Sequence, residues 1–342
     1  MTTLAVGTLK GGWVLRDDQP GGGWGIESPL FQGWEVTALG QAADGTYLAA
    51  TGSRWFGCGI HRIPDMVTWT PVEQGPDYAG SGPEMQQIWR FTTGPDARIW
   101  CGVAQAGVFT SDDHGQTWQP LGAFNAHGTR EHWQPGAGGM CAHSILLDGQ
   151  RLWVGASAVG VFRSEDGGAS IEPFNDGIED AVPDGPPGIG FCVHSIVADP
   201  ADPDRIWRQD HTGVYRTTDG ATTWQRIEEG LPARFGFPIV HDAASGSLFV
   251  VPLAADEDRT PVDGRFAAWR STDGGDSWHR SGTGWPDEPS WTSVLRGAMA
   301  TDGGGGIFLG TTGGQLWASD DAGDSWRRLP GTYPRIAALA VL

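Results

Sequence analysis

A short motif recurs along the chain and constrains its fold more than any other feature. Each copy begins with Ser or Thr, has Asp in third place and, in all but one copy, ends with Trp. The copies are SDDHGQTW from 111, SEDGGASI from 164, TTDGATTW from 217, STDGGDSW from 271 and SDDAGDSW from 319. Two degenerate copies, DDQPGGGW from 17 and RIPDMVTW from 62, extend the series towards the amino terminus. A repeat of about fifty residues is typical of a β-propeller, in which each repeat forms one blade.

Each repeat contains four short segments of strand-forming residues separated by Gly, Pro and Asp, which favour turns. We therefore expect an all-β fold: a seven-bladed β-propeller of four-stranded antiparallel blades, formed by residues 1–342 as a single domain. The carboxyl-terminal segment RIAALAVL should join the amino-terminal blade and close the ring, which removes exposed sheet edges. The predicted blades are approximately 1–27 with 334–342, 34–73, 85–122, 140–175, 191–228, 236–281 and 291–330.

The aspartates of the motif are predicted to be structural. An Asp in a turn accepts hydrogen bonds from nearby amides and hydroxyls, and Gly two residues later permits a positive φ. Because five repeats carry such an Asp, whereas one channel needs only one site, we assign them to the turns and not to catalysis. Ala221 replaces the Gly in one copy and Ile171 replaces the Trp in another, so we expect those two turns to be altered. The structural aspartates are Asp113, Asp166, Asp219, Asp273 and Asp321.

Charge excludes several classes of partner. The net charge is −19 and the sequence has no basic stripe, which argues against binding to nucleic acid or to anionic membranes. The first residues, MTTLAVGTLKGGWVL, lack the basic, apolar and cleavage segments of a secretion signal, and no apolar run is long enough to span a bilayer. We therefore expect a cytoplasmic protein. The four cysteines lie in apolar segments, which favours reduced, buried thiols.

The motif resembles that of the Asp-box, or BNR-repeat, β-propeller superfamily, and the resemblance covers the whole chain. The segments CVHSI, QDHTGVYRTTDG, LPARFGFPIV and GTTGGQLWASDDAGDSW resemble bacterial intracellular propellers labelled exo-sialidase-like or glycosyl-hydrolase-like. Such a resemblance implies the fold and does not specify the chemistry. True sialidases of the superfamily carry a Phe/Tyr-Arg-Ile-Pro motif, three arginines and a Tyr nucleophile activated by Glu. Here HRIP begins at His61 in a degenerate turn, and Tyr215 occupies a packing position, so a true sialidase is not expected.

Long loops are concentrated on one face of the predicted ring. They join the last strand of one blade to the first strand of the next, apart from one loop inside the sixth blade. Binding and catalytic residues concentrate in such loops when a rigid scaffold holds them. The long loops span 73–84, 122–138, 175–190, 253–265 and 279–291.

Two Cys-x-His pairs begin first strands next to this face. Cys141 with His143 and Cys192 with His194 should lie near the channel mouth, and His211 emerges from a loop on the same face. We predict that His143, His194 and His211 converge and carry catalysis, with Glu131 assisting. Glu84 occupies the place of the cysteines in the third blade.

Three interpretations of these residues remain open at this point. Imidazoles with a thiolate, or with a carboxylate such as Glu131 or Glu84, could hold zinc or another transition metal with an open coordination position. In that case the predicted metal ligands are His143, His194 and His211. Alternatively an imidazole acts as general acid or base without a metal. The third interpretation is structural: neighbouring blades are close copies, and the pairs serve packing.

The face that carries the long loops also supplies candidate ligand-binding residues. Aromatic rings stack on sugars, and arginines bind carboxylates through paired hydrogen bonds. We predict a small polar organic ligand, a sugar or sugar acid, with hydrolase-like or lyase-like chemistry. The alternatives are a non-catalytic propeller that binds a protein partner, as assembly factors of the superfamily do, and a condensing or isomerising enzyme. The predicted ligand-binding residues are Arg54, Glu84, Arg90, Trp133 and Arg234.

Overall fold

Strands account for nearly all regular structure in the computed structural model. It describes residues 2–19, 23–53, 57–65, 67–78, 82–136, 138–179, 187–254 and 257–342. Within these ranges the helical segments are α1 (Gly122–Asn125) and the 3-10 turns Arg130–His132 and Val262–Gly264. The strands are β1 (Thr3–Thr8), β2 (Gly11–Gln19), β3 (Gly23–Ile26), β4 (Glu35–Gln41), β5 (Tyr47–Ser53), β6 (Gly57–Ile63), β7 (Thr70–Pro71), β8 (Gln87–Thr93), β9 (Ile99–Ala104), β10 (Gly107–Ser111), β11 (Gln119–Pro120), β12 (Ala142–Asp148), β13 (Arg151–Ala156), β14 (Gly160–Ser164), β15 (Glu172–Pro173), β16 (Ser195–Asp199), β17 (Asp202–Gln209), β18 (Val214–Thr217), β19 (Gln225–Arg226), β20 (Phe235–Asp242), β21 (Ser247–Leu253), β22 (Trp269–Ser271), β23 (His279–Arg280), β24 (Val294–Thr301), β25 (Ile307–Thr311), β26 (Leu316–Ser319), β27 (Arg327–Arg328) and β28 (Ile336–Val341).

Consecutive strands form antiparallel sheets. Five sheets have four strands each: β4–β7, β8–β11, β12–β15, β16–β19 and β20–β23. The sixth sheet has eight strands and consists of two antiparallel groups, β24–β27 and β28 with β1–β3. One parallel pair, Gly297 opposite Ala338, joins the two groups. The last strand of the chain thus pairs with the first, with Ala5 opposite Ala340.

The first strands of the sheets surround a common centre. Neighbouring contacts run from β4 to β8, β12, β16, β20, β24 and β28, and β28 contacts β4 again. Side chains between adjacent sheets form the apolar core, and tryptophans link one sheet to the next. The indole of Trp153 donates to Gly220 O and that of Trp207 to Gly274 O, each over 2.9 Å. Each such bond satisfies a buried N–H while the ring fills the space between sheets.

The repeated aspartates hold the turns between the third and fourth strands. Asp273 shows the arrangement: Ser271 Oγ and Ser277 N donate to Oδ1 over 2.7 and 3.0 Å, and Ser277 Oγ donates to Oδ2. Gly275 N in turn donates to Ser271 Oγ over 2.8 Å. The other four aspartates make the corresponding bonds.

The two variant turns keep this geometry, so the expectation that they would be altered was wrong. Ala221 adopts φ +81°, close to the φ of +84° at Gly115, and its N–H still donates to Thr217 Oγ1. Burial of the Ala221 methyl group offsets part of the cost of this left-handed backbone. Ile171 is buried where the other copies have Trp, and Asp166 beside it keeps its bonds to the turn.

The degenerate copy at 62 uses a displaced aspartate. Asp65 accepts hydrogen bonds from Val67 N and Thr68 N, over 3.0 and 2.6 Å, and from Thr68 Oγ1 over 2.9 Å. The preceding His61 lies in strand β6 and not in the turn where the sequence placed it. The HRIP segment therefore ends a strand and starts a turn.

Replacing Asp273 with Asn should lower the free energy of unfolding at pH 7 by about 1 kcal/mol, because charge-assisted hydrogen bonds in the turn are lost. Partial burial raises the pKa of Asp273, but hydrogen bonds from Ser277 and Ser271 outweigh it and lower the pKa to about 2. A depressed carboxyl pKa stabilises the fold above the unfolded pKa of about 4 and ceases to do so as pH falls towards 2. The difference between wild type and variant should therefore shrink between pH 4 and pH 2.

Urea unfolding at pH 7 and at pH 2.5 measures this difference. Asp276→Asn is the matched control, because Asp276 lies in the same turn and pairs with Arg216 at the surface. Its effect should stay below about 0.5 kcal/mol at both pH values. Equal effects of the two substitutions would contradict the assigned role of Asp273.

Candidate functional site

β-bulges shape the inner ends of the first strands. The strand registers shift between Val36 and Ala38, Ile88 and Arg90, Ala142 and Ser144, Gly236 and Ile239, and Val294 and Met299. A bulge breaks the alternation of a strand and redirects a side chain, and bulges are frequent beside active sites. Residues inside these shifts include Thr37, Trp89, His143, Phe237 and Arg296.

Four of these bulge residues line a central cavity of about 320 Å³: Thr37, Trp89, His143 and Arg296. Arg90 lines the same cavity. Its side chain remains exposed to the water of the channel, yet the surrounding protein lowers its pKa through loss of solvation. The cavity extends along the inner strands. Two guanidinium groups and an imidazole therefore line the channel.

A second cluster unites one Cys-x-His pair with the loop histidine. The ligand atoms of Cys192, His194 and His211 all lie within 4.8 Å of one another. Cys192 and His194 precede β16, and His211 follows β17, so the hydrogen-bonded strand pair brings the two segments together. The rings of His194 and His211 have centroids 4.6 Å apart, and Phe235 and Phe237 pack against His194.

His194 is held in one orientation. Its Nδ1 lies 2.5 Å from Gly236 O, which fixes the proton on Nδ1 because a carbonyl only accepts. Its Nε2 is buried and has no hydrogen-bond partner among the described residues. Burial, followed by Arg296 and His211, lowers the pKa of His194 well below its ordinary value, so the imidazole is neutral at pH 7. A neutral ring with a fixed Nδ1 proton presents the Nε2 lone pair to the cluster.

The two cysteines of the Cys-x-His pairs differ in their surroundings. Burial raises the pKa of Cys192, but its hydrogen bond with His211, the charge of that ring and Ser157 together lower it below the ordinary thiol value. Ser157 Oγ lies 3.3 Å from Cys192 Sγ. Burial raises the pKa of Cys141 to about 11, and its Sγ contacts Gly138 O at 3.8 Å. Cys192 therefore has polar partners that favour a thiolate, whereas Cys141 is a packed thiol.

A buried ion pair supports both segments of the cluster. Arg208 and Asp210 have side chains that are 0% and 2% exposed, and Arg208 Nε lies 3.0 Å from Asp210 Oδ2. Arg208 Nη2 donates to Cys192 O over 3.0 Å, while Asp210 Oδ1 accepts from the amides of Thr212 and Gly213. The pair thereby ties the chain before β16 to the loop that carries His211. Loss of solvation lowers the pKa of Arg208 and raises that of Asp210, and their mutual attraction opposes both shifts.

His143 lies apart from the cluster, on the channel. It is 6% exposed, and in the described part of the chain neither ring nitrogen has a hydrogen-bond partner. The edge of its ring meets Trp89, with centroids 5.9 Å apart. Burial first, and Arg296 second, lower its pKa well below the ordinary value. The structure thus brings together two of the three predicted histidines with Cys192 and leaves His143 beside the arginines.

Two predicted helpers face solvent. Glu131 is exposed and lies 3.5 Å from His132 in a 3-10 turn. Arg234 is largely exposed, and its Nε lies 3.1 Å from Glu228 Oε1. Its backbone carbonyl accepts from Gln209 beside the cluster, so this residue is near the site through its main chain.

The remaining predicted ligand-binding residues have other surroundings. Trp133 is 5% exposed and packs against Phe124 and Phe162, so it offers no open face for stacking. Glu84 is exposed. When the register shifts of β8 and β12 are superposed, Gln87 and not Glu84 corresponds to Cys141, so the sequence alignment of the third repeat was wrong. Arg54 lies outside the described residues.

Sequence analysis did not single out Arg296, Phe237 or the Arg208–Asp210 pair. Arg296 lies inside a long register shift of its strand, so counting positions within the repeat did not align it with the other channel residues. The QD in QDHTG lay beside a predicted histidine, which was the available hint for Asp210. The Arg that precedes QD in the strand segment RIWRQD was the corresponding hint for Arg208.

Comparisons with known proteins show a likeness of fold. No protein-family model and no curated protein matches the chain. Among solved structures, an ancestral GH74 enzyme superposes with a TM-score of 0.54 at 16% identity, over 86% of this chain and 39% of that one. YCF48 from Cyanidioschyzon merolae superposes with a TM-score of 0.53 at 12% identity, over 87% of this chain and 85% of that one. YCF48 bound to D1 peptide also matches, at 15% identity over 77% and 90%, with a TM-score of 0.39.

This chain spans about two-fifths of the GH74 enzyme, and both identities are low, so the comparisons concern the fold alone. They agree with an all-β chain of antiparallel four-stranded groups and indicate a β-propeller. In the described part of the chain, no helix has the length and apolar character needed to cross a membrane.

Proposed function

We propose that this chain is a seven-bladed Asp-box propeller that binds zinc or a related transition metal and uses it in hydrolase-like chemistry on a small polar organic molecule. The blade count follows if the two groups of the eight-stranded sheet are counted separately. The metal ligands are Cys192, His194 and His211. The observation that carries the proposal is the convergence of these three donors within 4.8 Å.

The donor set fits a metal with an open coordination position. Zinc bonds of about 2.3 Å to sulfur and about 2.1 Å to nitrogen require ligand atoms somewhat closer than in the cluster, which small side-chain rotations supply. Three protein ligands are typical of catalytic zinc, whereas structural zinc has four. The bond from His194 Nδ1 to Gly236 O is the outer-shell contact that orients a ligating imidazole.

Hydrolase-like chemistry follows from the open position. A metal so bound lowers the pKa of a coordinated water to about 7 and polarises a substrate carbonyl. Phe235 and Phe237 shield one side of the cluster from solvent. The channel of about 320 Å³ has room for a small molecule and not for a polymer segment of several residues.

A metal-free alternative rests on one contact. His211 hydrogen-bonds the Cys192 thiol, as in cysteine nucleophiles paired with a base. The buried, unpartnered Nε2 of His194 has no role in that arrangement, which favours the metal. The protein-binding alternative has only the likeness of fold to YCF48 behind it, and no contact among the described residues supports it further.

Metal analysis of the purified, tag-free protein tests the proposal. We expect about one zinc or related ion per chain in the wild type and a loss of at least tenfold in occupancy after Cys192→Ala or His194→Ala. His143→Ala is the matched control, since its imidazole is also buried but lies outside the cluster, and it should retain the metal.

Hydrolysis of 4-nitrophenyl esters, phosphates and glycosides is then measured before and after chelation. Activity that disappears with chelator and returns with metal supports the proposal. A folded wild-type protein that takes up no metal from a zinc-containing buffer would contradict it, and activity that persists after chelation would favour the cysteine–histidine pair.

A further inference from the structure

The channel has an unusual charge for this chain. The net charge of the protein is −19, yet the residues lining the cavity include two arginines, Arg90 and Arg296, and two histidines, His143 and His241, with no carboxylate among the described lining residues. Coulomb interactions are stronger in a narrow protein-lined space than in bulk water. The two guanidinium cations there favour an anionic occupant.

Arg90 contributes a charge that the protein does not neutralise. Among the described residues, no carboxylate forms an ion pair with its guanidinium, although many other arginines of the chain pair with Asp or Glu. Arg98, in the turn between β8 and β9, shows the contrast with its 2.6 Å contact to Asp112. Maintaining an uncompensated cation amid surrounding protein costs free energy unless a ligand offsets it.

Arg296 lines the channel and lies between aromatic rings of two other sheets. Its Cζ lies 4.7 Å from the centroid of Phe237 and 5.8 Å from that of Trp89, which belong to different sheets. Its Nη2 also approaches Gly138, in the loop before β12. Contacts with both rings restrain the plane of the guanidinium, and a restrained guanidinium offers paired N–H donors to a carboxylate.

His143 completes the arrangement. Its side chain is buried and lines the cavity, and both of its ring nitrogens lack a hydrogen-bond partner within the described ranges. Buried polar groups in folded proteins nearly always have partners, so an imidazole with two unsatisfied nitrogens indicates a missing one. A ligand oxygen in the channel would satisfy a donor nitrogen of this ring.

We propose that the channel mouth binds a small organic anion through its carboxylate, held by Arg90, Arg296 and His143. This inference identifies small carboxylates as the substrate class of the proposed metal centre. Binding of the carboxylate is independent of the metal, and only the chemistry that follows binding rests on the proposed function. Arg296 connects the two sites, because the Phe237 ring on which it packs has its centroid 4.9 Å from that of His194. A carboxylate at Arg296 would hold the remainder of the molecule beside the cluster.

Matched charged and neutral ligands test the inference. Binding of D-glucuronate, D-gluconate and L-lactate is measured by calorimetry and by thermal shift at low salt, with glucose, glucitol and 1,2-propanediol as their neutral counterparts. We expect at least one carboxylate to bind tenfold more tightly than its counterpart. Arg90→Gln and Arg296→Gln should each weaken that binding at least tenfold, whereas the control Arg98→Gln should leave it unchanged.

The remaining measurements separate the sources of failure. Arg296→Lys keeps the charge and loses the paired donors, so a partial loss is expected even if Arg296→Gln folds poorly. Carboxylate binding should persist after chelation, which separates this site from the metal. The inference is overturned if no carboxylate exceeds its neutral counterpart, if the channel variants behave like Arg98→Gln, or if inorganic phosphate binds more tightly than every carboxylate.

Discussion

Asp210→Asn is expected to lower the free energy of unfolding by about 3–5 kcal/mol, a large part of the 5–15 kcal/mol typical of a folded domain. The substitution leaves the Arg208 cation fully buried without its counter-charge. The Asn carbonyl can still accept from Thr212 N and Gly213 N, so the lost stability reports the charge and not the turn. Urea unfolding monitored by tryptophan fluorescence measures it.

A surface ion pair provides the comparison. Asp112→Asn breaks the contact with Arg98, and it should lower the free energy of unfolding by less than about 1 kcal/mol. The reason is exposure, since the side chains of Arg98 and Asp112 are 37% and 69% exposed. The double variant Arg208→Met/Asp210→Leu should recover part of the stability lost in Asp210→Asn, because it removes both buried charges. It should also weaken metal binding, since Arg208 no longer holds the Cys192 carbonyl. Similar losses in Asp210→Asn and Asp112→Asn would contradict the buried-charge explanation.

Trp278→Ala should cost about 3–5 kcal/mol, the range found when a large aromatic side chain is removed from a core. Trp278 is fully buried and packs with Trp207 and Ile227 between neighbouring sheets. Its indole donates to Ile227 O over 2.7 Å, so the substitution also leaves that carbonyl unsatisfied. The transition in urea should move to lower concentration with little change in slope.

Trp69 occupies the same place in a degenerate repeat and serves as the control. It is 46% exposed, although it packs against Phe31 and His61. Trp69→Ala should therefore cost about 1 kcal/mol. A loss of equal size at the two positions would show that the repeat position and not burial sets the contribution.

Most of the fold can be inferred from local features of the sequence. The aspartate turns can be identified because their hydrogen bonds join residues within four positions of each other, as at Asp273 and Ser277. The pairing of β28 with β1 follows from the order of strands within a repeat. The convergence of His194 with His211 is similarly local, because both flank one antiparallel strand pair.

The identity of the other site residues depends on contacts between sheets. The sequence made His143 an equivalent of His194, yet neighbouring sheets give the two rings different partners, Trp89 for one and Gly236 O for the other. Trp133 looked like an open aromatic platform and is instead the buried centre of its loop. Such differences arise from packing, which composition and spacing do not encode.

The sequence by itself determined the repeat, its four strands and the turns that separate them, because these depend on backbone preference and on hydrogen bonds within a few residues. Only the tertiary structure decided which side chains meet at the centre. Register shifts at Ile88, Ala142 and Val294 turn Trp89, His143 and Arg296 towards one channel. A bulge arises from pairing with a neighbouring strand and packing against the next sheet, so its position is set by the assembled ring and not by the segment that contains it.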